Sequence, residues 1–362
     1  MSISPAGADL PETVTTMDPG LRCAKPGPSS LQRRRFLTAS AGLLVSACAP
    51  TIQNALKPPG DFAGAHFEND VFVSFDGARL GLNTYAAQGE PWAVVIGLHG
   101  MNDYARTFEG AGPYWAGHGV TTYAYDARGF GRSPNRGVWP GEALMVEDLR
   151  AAAAAARKAH PNAIIAVVGE SMGAAQGMVA FAGADPPKAD RLILCSPAVW
   201  GWSAQPMAYS LALWTAAHTL PAKKVTPPRG LKITPSDNIE MLRALGRDRL
   251  MLFDTRLDAI YGLVGLMDDA AASAANLRAP TLYMYGAHDQ IIPKKAAVAA
   301  AERLPRAART ALYPNNYHMM LRDLGAQVVW DDILAFLRDA DSALPSGAQP
   351  LVPVTKTLTS AR

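Results

Sequence analysis

The central segment of this chain is Ala163-Ile164-Ile165-Ala166-Val167-Val168-Gly169-Glu170-Ser171-Met172-Gly173, followed by the small residues of positions 174–180. The apolar run predicts a buried strand, the small residues predict a helix, and the G-x-S-x-G pattern lies at the turn between them. Bulky neighbours of the serine would collide with the strand or the helix, so glycine fits on both sides. This order predicts a nucleophile elbow that presents Ser171 at a helix N-terminus, although the pattern alone also occurs in ordinary turns.

Short apolar runs alternate with longer helix-like segments on both sides of this elbow. An opening hairpin is predicted over 71–75 and 80–85. Further strands are predicted at residues 92–98, 121–125, 163–168, 192–195, 281–285 and 310–313, and the clearest helices at residues 142–159 and 328–340. Such alternation is typical of a mostly parallel sheet that helices cover on both faces. In such sheets the active site lies beyond the C-terminal ends of the strands.

Residues 200–276 interrupt the alternation, because they contain no good strand and are too long for an ordinary connection. They are rich in large apolar side chains and follow the strand after the elbow. We predict a helical cap over Ser171, between the two core segments 70–199 and 277–340. The alternative is a helical insertion that buries only its own apolar face. Residues 341–362 contain three prolines and are predicted to form a flexible tail.

The first 47 residues resemble an export signal behind a disordered leader. Arginines at 33–35 precede an apolar run shorter than the roughly 20 residues of a membrane span. Residues 33–37 resemble a twin-arginine signal. Residues 45–48, Val-Ser-Ala-Cys, resemble a bacterial lipobox, which implies cleavage before Cys48 and lipidation of its thiol.

We therefore expect an exported protein that a lipid at Cys48 anchors in the bacterial cell envelope, on the periplasmic side, with residues 48–69 as a tether. Ala49 directly after the cysteine favours the outer membrane. The alternatives are a plain export signal with an incidental cysteine, or a buried N-terminal helix.

Composition excludes some classes of partner. The chain carries 34 Lys and Arg against 31 Asp and Glu without a basic stripe, which argues against a nucleic acid partner. Cys195 is the only cysteine after Cys48, so the mature chain has no internal disulfide and depends on its core for stability. The sequence does not indicate an oligomeric state.

Later in the chain, an acid and a histidine could activate Ser171 as a nucleophile. A serine hydroxyl needs a base within hydrogen-bond reach, and that base needs a third group to orient it. In this type of fold the acid and then the histidine follow the serine in the sequence. Asp289 and His318 have this order and both follow predicted strands, although each alone also fits an ordinary turn or loop residue. We interpret His288 as a neighbour of Asp289 without a role in proton transfer.

The negative charge that develops on a carbonyl oxygen needs two backbone N–H donors. Met172, directly after the serine, is predicted to supply one donor. The turn at residues 99–103 is predicted to supply the other through Met101, because Gly100 permits an unusual backbone there. We interpret His99 as a residue that braces this turn, since it precedes the serine in the sequence.

Together these motifs resemble the monoacylglycerol lipase and lysophospholipase branch (serine aminopeptidase S33-type) of the α/β-hydrolases. The resemblance runs from about Val71 to Asp339. It rests on Leu98-His99-Gly100, on residues 125–133 with their D-x-x-G-x-G-x-S pattern, on the elbow, on Gly286-x-x-Asp289 and on His318.

The resemblance implies hydrolysis of carboxylic esters through a Ser-His-Asp triad and an acyl-enzyme, beneath a helical cap, without a metal or a cofactor. The substrates it implies are monoacylglycerol- or lysophospholipid-like lipids. Residues 101–103, Met-Asn-Asp, depart from the glycine or alanine followed by glutamate that many relatives carry.

Other functions remain compatible with the same residues. An acyltransferase or a peptidase of the proline-iminopeptidase type would use the same triad. A lipid-anchored binding protein would keep the scaffold without the chemistry, since a fold does not fix a function.

Overall fold

A computed structural model of the chain describes residues 49–226, 230 and 232–353. The predicted export signal, Cys48 and residues 354–362 lie outside this part. The described strands are β1 (His66–Phe67), β2 (Val71–Val73), β3 (Arg79–Tyr85), β4 (Ala93–Leu98), β5 (Val120–Tyr125), β6 (Ile164–Glu170), β7 (Arg191–Cys195), β8 (Lys224–Val225), β9 (Thr255–Arg256), β10 (Thr281–Gly286) and β11 (Arg309–Tyr313). The described helices are α1 (Ala111–Ala116), α2 (Glu142–Ala159), α3 (Met172–Ala182), α4 (Met207–Thr219), α5 (Ile239–Leu245), α6 (Leu257–Ser273), α7 (Lys294–Ala301) and α8 (Ala326–Arg338).

Nine of these strands form one sheet in the order β1-β2-β3-β5-β4-β6-β7-β10-β11. The strands from β5 to β11 in this order are mutually parallel, while β1, β2 and β3 pair antiparallel at one edge. The predicted mostly parallel sheet and its opening hairpin are therefore confirmed. Strand β6, which leads into the elbow, lies near the middle of the sheet.

Alternation of side chains along the central strands creates two cores, one on each face of the sheet. On β4, Val94, Ile96 and Leu98 belong to one core, and Ala93 and Val95 belong to the other. This follows from the period of two in a strand. Helices α2, α3, α6 and α7 contribute to the first core, whereas α1 and α8 contribute to the second. Because both faces are covered, β4 carries no polar side chain and all six of its residues are buried.

The segment between β7 and β10 contains α4, α5, the small antiparallel pair β8–β9 and α6. The pair β8–β9 could not be predicted from the sequence, since two-residue strands leave no periodic pattern. The C-terminal half of α6 packs on α3 and buries Leu266, Met267 and Ala270 in the first core. The division between core and cap at residues 200–276 stays a prediction. Among the residues that the structure covers, none of the helices has the length and apolar character that crossing a bilayer requires.

Where the structure describes them, the predicted tether and the predicted flexible tail make defined contacts. Gln53 is buried, and its backbone N–H donates to the Trp139 carbonyl at 3.0 Å. Near the other end, the Leu312 N–H donates to the Gln349 carbonyl at 2.8 Å, and Leu351 is buried. In their described parts, both segments contact residues far away in the sequence. Their prolines and irregular patterns give no local sign of these contacts, so sequence patterns alone suggested loose chain.

Candidate active site

Ser171 lies between the end of β6 and the start of α3, as predicted for the elbow. Its backbone has φ 56° and ψ −113°, a conformation that costs energy for any residue other than glycine. A Cβ atom added at Gly169 would come within 2.5 Å of backbone atoms in the following helix, and one at Gly173 would collide with the Leu98 carbonyl. The turn is therefore closed to larger residues on both sides of the serine.

Asp289 and His318 lie side by side at the C-terminal ends of neighbouring parallel strands, β10 and β11. His318 Nδ1 is 2.8 Å from Asp289 Oδ2, and both side chains are almost fully buried. The other carboxylate oxygen accepts the N–H groups of Ile291 at 2.8 Å and Ile292 at 2.9 Å. A carboxylate oxygen can only accept, so Nδ1 carries the proton and Nε2 is left as the basic nitrogen. The predicted pairing of these two residues is present in the structure.

Within the described residues, no hydrogen bond joins Ser171 Oγ to His318. The imidazole nevertheless lies close enough to the elbow to affect Glu170, the residue before the serine. Burial raises the pKa of the Glu170 carboxyl, and the charges of Arg322 and His318 act in the opposite direction. Hydrogen bonds between catalytic groups are often long in unliganded enzymes and shorten when substrate binds.

The turn at residues 99–103 packs directly against the elbow. A Cβ atom added at Gly100 would lie 3.4 Å from Ser171 Cβ and 4.0 Å from its Oγ. His99 Nε2 accepts the Ala127 N–H at 2.9 Å, so Nδ1 carries the proton and donates to the Gly100 carbonyl at 2.7 Å. Burial lowers the pKa of His99, which keeps the ring neutral. His99 therefore braces this turn, the role that its sequence position predicted.

Met101 and Met172, the two predicted donors, flank the serine. Met172 is the first residue of α3, and the first N–H groups of a helix have no acceptor inside it. Within the described residues the Met101 N–H has no hydrogen-bond acceptor either. Both N–H groups are therefore available to an oxygen bound at the serine.

A buried ion cluster beside the elbow escaped the sequence analysis. Arg322 Nη2 is 2.5 Å from Asp103 Oδ2 and 3.1 Å from Glu170 Oε1. All three side chains are at most 3% exposed. The one sign in the sequence is an arginine four residues after His318, which by itself does not reveal a buried partner.

The segment between β7 and β10 contacts both turns of the site. Asn102, with φ 65°, donates through Nδ2 to Thr255 Oγ1 at 2.8 Å, and its carbonyl accepts the Leu252 N–H at 3.0 Å. On the histidine side, the Met319 N–H donates to the Pro235 carbonyl at 2.9 Å. These contacts join Asn102 to the segment between β7 and β10.

Comparison with known proteins identifies the family of the chain. The sequence profile of the family described as "Serine aminopeptidase, S33" matches residues 89–325, which include the elbow, the 99–103 turn, Asp289 and His318. The chain belongs to the serine aminopeptidase S33 family. A protein named monoacylglycerol lipase from Mycolicibacterium smegmatis is 27% identical over 274 residues, covering 74% of this chain and 95% of the relative.

Solved structures show the same fold. The structure of a soluble variant of monoglyceride lipase from Saccharomyces cerevisiae, with a substrate analogue, matches with a TM-score of 0.63 at 18% identity, over 81% of this chain and 100% of the other. A carboxyl esterase from Bacillus coagulans in complex with glycerol gives a TM-score of 0.61 at 19% identity, over 75% and 98% of the two chains. The serine aminopeptidase S33 protein described here thus has the α/β-hydrolase fold.

This serine aminopeptidase S33 protein also has a cavity away from the predicted site. It measures about 410 Å³ and is lined on one side by Val199 and Trp200 and on the other by residues of α7, including Lys295. None of the predicted catalytic residues lines it. Cys48, the predicted lipidation site, lies outside the described residues.

Proposed function

We propose that the protein is a serine hydrolase that cleaves carboxylic esters, with Ser171, His318 and Asp289 as its triad. The observation that carries the proposal is the convergence of three parts at one edge of the sheet. The first is a serine in a strained elbow. The second is the turn at residues 99–103 (the donor turn), which packs against that serine and whose Met101 N–H has no acceptor within the described residues. The third is a histidine oriented by a buried carboxylate. Each part supplies one requirement of acyl transfer.

The proposed cycle follows from the protonation state of His318. Nε2 takes the proton of the Ser171 hydroxyl while Oγ attacks the ester carbonyl carbon. The N–H groups of Met101 and Met172 donate to the resulting oxyanion. His318 then gives its proton to the leaving alcohol, which departs and leaves an acyl-enzyme. A water molecule repeats the sequence, with Nε2 again as base, and releases the acid and the free serine.

Lipid-derived esters, of the monoacylglycerol or lysophospholipid class, are the proposed substrates. The relative from Mycolicibacterium smegmatis is named a monoacylglycerol lipase, which favours ester cleavage over peptidase chemistry. Helix α4 supports the same class, because it contains no Asp, Glu, Lys or Arg and exposes Met207 (85%), Leu211 (64%) and Trp214 (51%). An exposed apolar face of this kind suits acyl chains or a lipid surface.

Anchoring through a lipid at Cys48 is part of the proposal, with the outer membrane favoured by Ala49. The start of the described chain lies beside α6, because the Thr51 N–H donates to Asp258 Oδ2 at 3.2 Å. A lipid three residues upstream would hold the predicted cap close to the membrane. Radiolabelled palmitate should enter the full-length protein and not a Cys48→Ser variant. Equal labelling of both would contradict the anchor.

The enzymatic proposal is tested with full-length protein purified in detergent. Activity is measured on monoacylglycerols, lysophospholipids and a chain-length series of p-nitrophenyl esters. Labelling of Ser171 is measured with a fluorophosphonate probe. We expect hydrolysis and labelling in the wild type and neither in Ser171→Ala. Products formed with a competing alcohol distinguish hydrolysis from acyl transfer. A wild-type protein that neither hydrolyses these esters nor reacts with the probe would refute the proposal and favour the binding-protein alternative.

A further inference from the structure

Arg322 connects three segments of the proposed active site. Asp103 ends the turn that carries Met101, and its N–H closes that turn on the Gly100 carbonyl at 3.3 Å. Glu170 directly precedes Ser171 at the end of β6. Arg322 itself lies four residues after His318, and its N–H donates to the Met319 carbonyl at 2.8 Å. One guanidinium group therefore joins the donor turn, the nucleophile elbow and the histidine loop.

Burial makes these contacts obligatory. A charge removed from water is costly unless it is paired, and breaking a buried pair is more damaging than never having built it. The guanidinium is planar with a fixed set of N–H directions, so its partners must keep fixed positions around it. Asp103 and Glu170 both contact the same nitrogen, Nη2. The distance between the end of the donor turn and the end of β6 is thus set by a rigid group.

Catalysis is sensitive to this distance. Met101 lies two residues before Asp103, and Ser171 lies one residue after Glu170. An oxyanion donor must lie about 2.7–3.1 Å from the oxygen that it stabilises. Asp103 Oδ1 also accepts the Tyr104 N–H at 2.8 Å, so a shift of its carboxylate moves the exit of the turn as well.

We propose that Arg322 is a positioning residue that holds the Met101 N–H at its working distance from the Ser171 hydroxyl, with Asp103 and Glu170 as its two attachment points. This inference rests on the proposed function. It assigns to the arginine no contact with substrate and no proton transfer. Its effect is on the transition state, where the oxyanion forms, and only weakly on the binding of the neutral ester.

The chain offers a matched control. Arg128 is also buried between two carboxylates, Asp76 at 2.8 Å and Asp148 at 2.7 Å, and all three side chains are at most 3% exposed. This second cluster joins Arg128 to β2–β3 and α2 rather than to residues 170 or 103. Substitution at Arg128 therefore reports the cost of disturbing a buried ion cluster without disturbing the donor turn.

The experiment compares Arg322→Lys with Arg128→Lys in the full-length enzyme. Lysine keeps the charge, but its shorter and more flexible side chain ends at a different point from Nη2, so it does not hold the two carboxylates at the same distances. For Arg322→Lys we expect kcat on a p-nitrophenyl ester to fall about 10- to 100-fold with KM within about threefold, since a misplaced donor acts on the transition state. Arg128→Lys should lower Tm to a similar extent while kcat stays within about twofold, as for a structural substitution away from the site.

Milder variants keep the test open if Arg322→Lys does not fold. Asp103→Asn and Glu170→Gln each weaken one attachment point and preserve side-chain shape. Each should lower kcat while KM changes little. The fall in kcat of the double variant should be smaller than the product of the two single falls, because both act through Arg322. The inference is overturned if the wild type is active and these variants, like Arg128→Lys, change only Tm. A wild type without esterase activity or labelling at Ser171 would instead refute the proposed function, and the positioning role with it.

Discussion

The hydrogen bond from His318 Nδ1 to Asp289 Oδ2, 2.8 Å long and almost fully buried, decides which imidazole nitrogen is basic. Asp289 cannot rotate freely, because its second oxygen is held by the N–H groups of Ile291 and Ile292. The carboxylate therefore fixes both the tautomer and the direction of the ring. Only Nε2 remains to accept the proton of Ser171.

Replacing Asp289 tests this relationship. In Asp289→Asn the amide can donate to Nδ1, which moves the proton to Nε2 and removes the base. We expect kcat to fall about 10³- to 10⁴-fold with KM nearly unchanged. His288→Ala is the neighbouring control, since His288 stacks on Tyr317 and has no contact with the triad in the proposal. Comparable losses in both variants, measured by steady-state kinetics, would argue against the assigned roles.

Gly100→Ala should separate folding from activity. The new Cβ would make an ordinary 3.4 Å contact with Ser171 Cβ, so the fold should be retained with Tm within about 2 °C. The methyl group would also lie 4.0 Å from Oγ, in the space that an ester carbonyl needs. We expect kcat/KM to fall about 10-fold or more, because small misplacements of reacting atoms have large effects on rate. Full activity of a folded variant would place the substrate elsewhere.

The exposed face of α4 predicts a difference between lipid and water-soluble substrates. Leu211→Ser/Trp214→Ser removes apolar area at exposed positions, so stability should change by less than about 0.5 kcal/mol per site. KM for monoacylglycerol presented in vesicles should rise severalfold, while kcat/KM for p-nitrophenyl acetate stays the same. Val328→Ser, at a 46% exposed position on α8, serves as the control. Equal effects on both substrates would contradict a role of α4 with lipids.

Glu142 predicts a pH dependence of stability. Burial, followed by the nearby charge of Asp269, raises the pKa of Glu142 to about 7. In the folded state Glu142 therefore holds a proton that the unfolded chain releases near pH 4.5, so this residue makes the protein less stable as pH rises from about 4.5 to about 7. Glu142→Gln removes that loss and should stabilise the protein by about 1 kcal/mol at pH 8, with allowance for partial exposure, and by little at pH 4.5.

Thermal unfolding at the two pH values measures this effect. Glu302→Gln is the control, because Glu302 is exposed and has no ion pair in the described part of the chain. A Tm difference between Glu142→Gln and wild type that is the same at both pH values would show that the carboxyl is not protonated in the folded protein.

Gln53 tests whether the segment after the predicted anchor belongs to the folded domain. Its side chain donates to the Val138 carbonyl at 2.7 Å and accepts from Asn135 at 3.0 Å. Gln53→Ala should reduce the free energy of unfolding by about 1–2 kcal/mol, because partners of a lost buried hydrogen bond stay unsatisfied. Gln88→Ala, at an exposed position, should change it little. Urea unfolding that does not distinguish the two variants would indicate a loose tether.

Most of the sheet and the pairing of Asp289 with His318 could be predicted because local patterns encode them. Apolar runs mark the buried strands and glycines mark the elbow, and a parallel sheet brings the ends of neighbouring strands to one edge. The positions of Gln53 and Gln349, near the two ends of the described chain, could not be predicted, because they depend on partners far along the chain. The same applies to β8 and β9, which are too short for any periodic signal.

The sequence thus supplies the candidate catalytic residues, a serine, an acid and a histidine, in the order that this fold requires. Tertiary structure alone brings Arg322 between Asp103 and Glu170, although Arg322 lies 219 positions after Asp103 and 152 positions after Glu170. Local propensity depends on neighbours within a few residues, whereas a buried charge finds its partners only when the whole chain has folded around it.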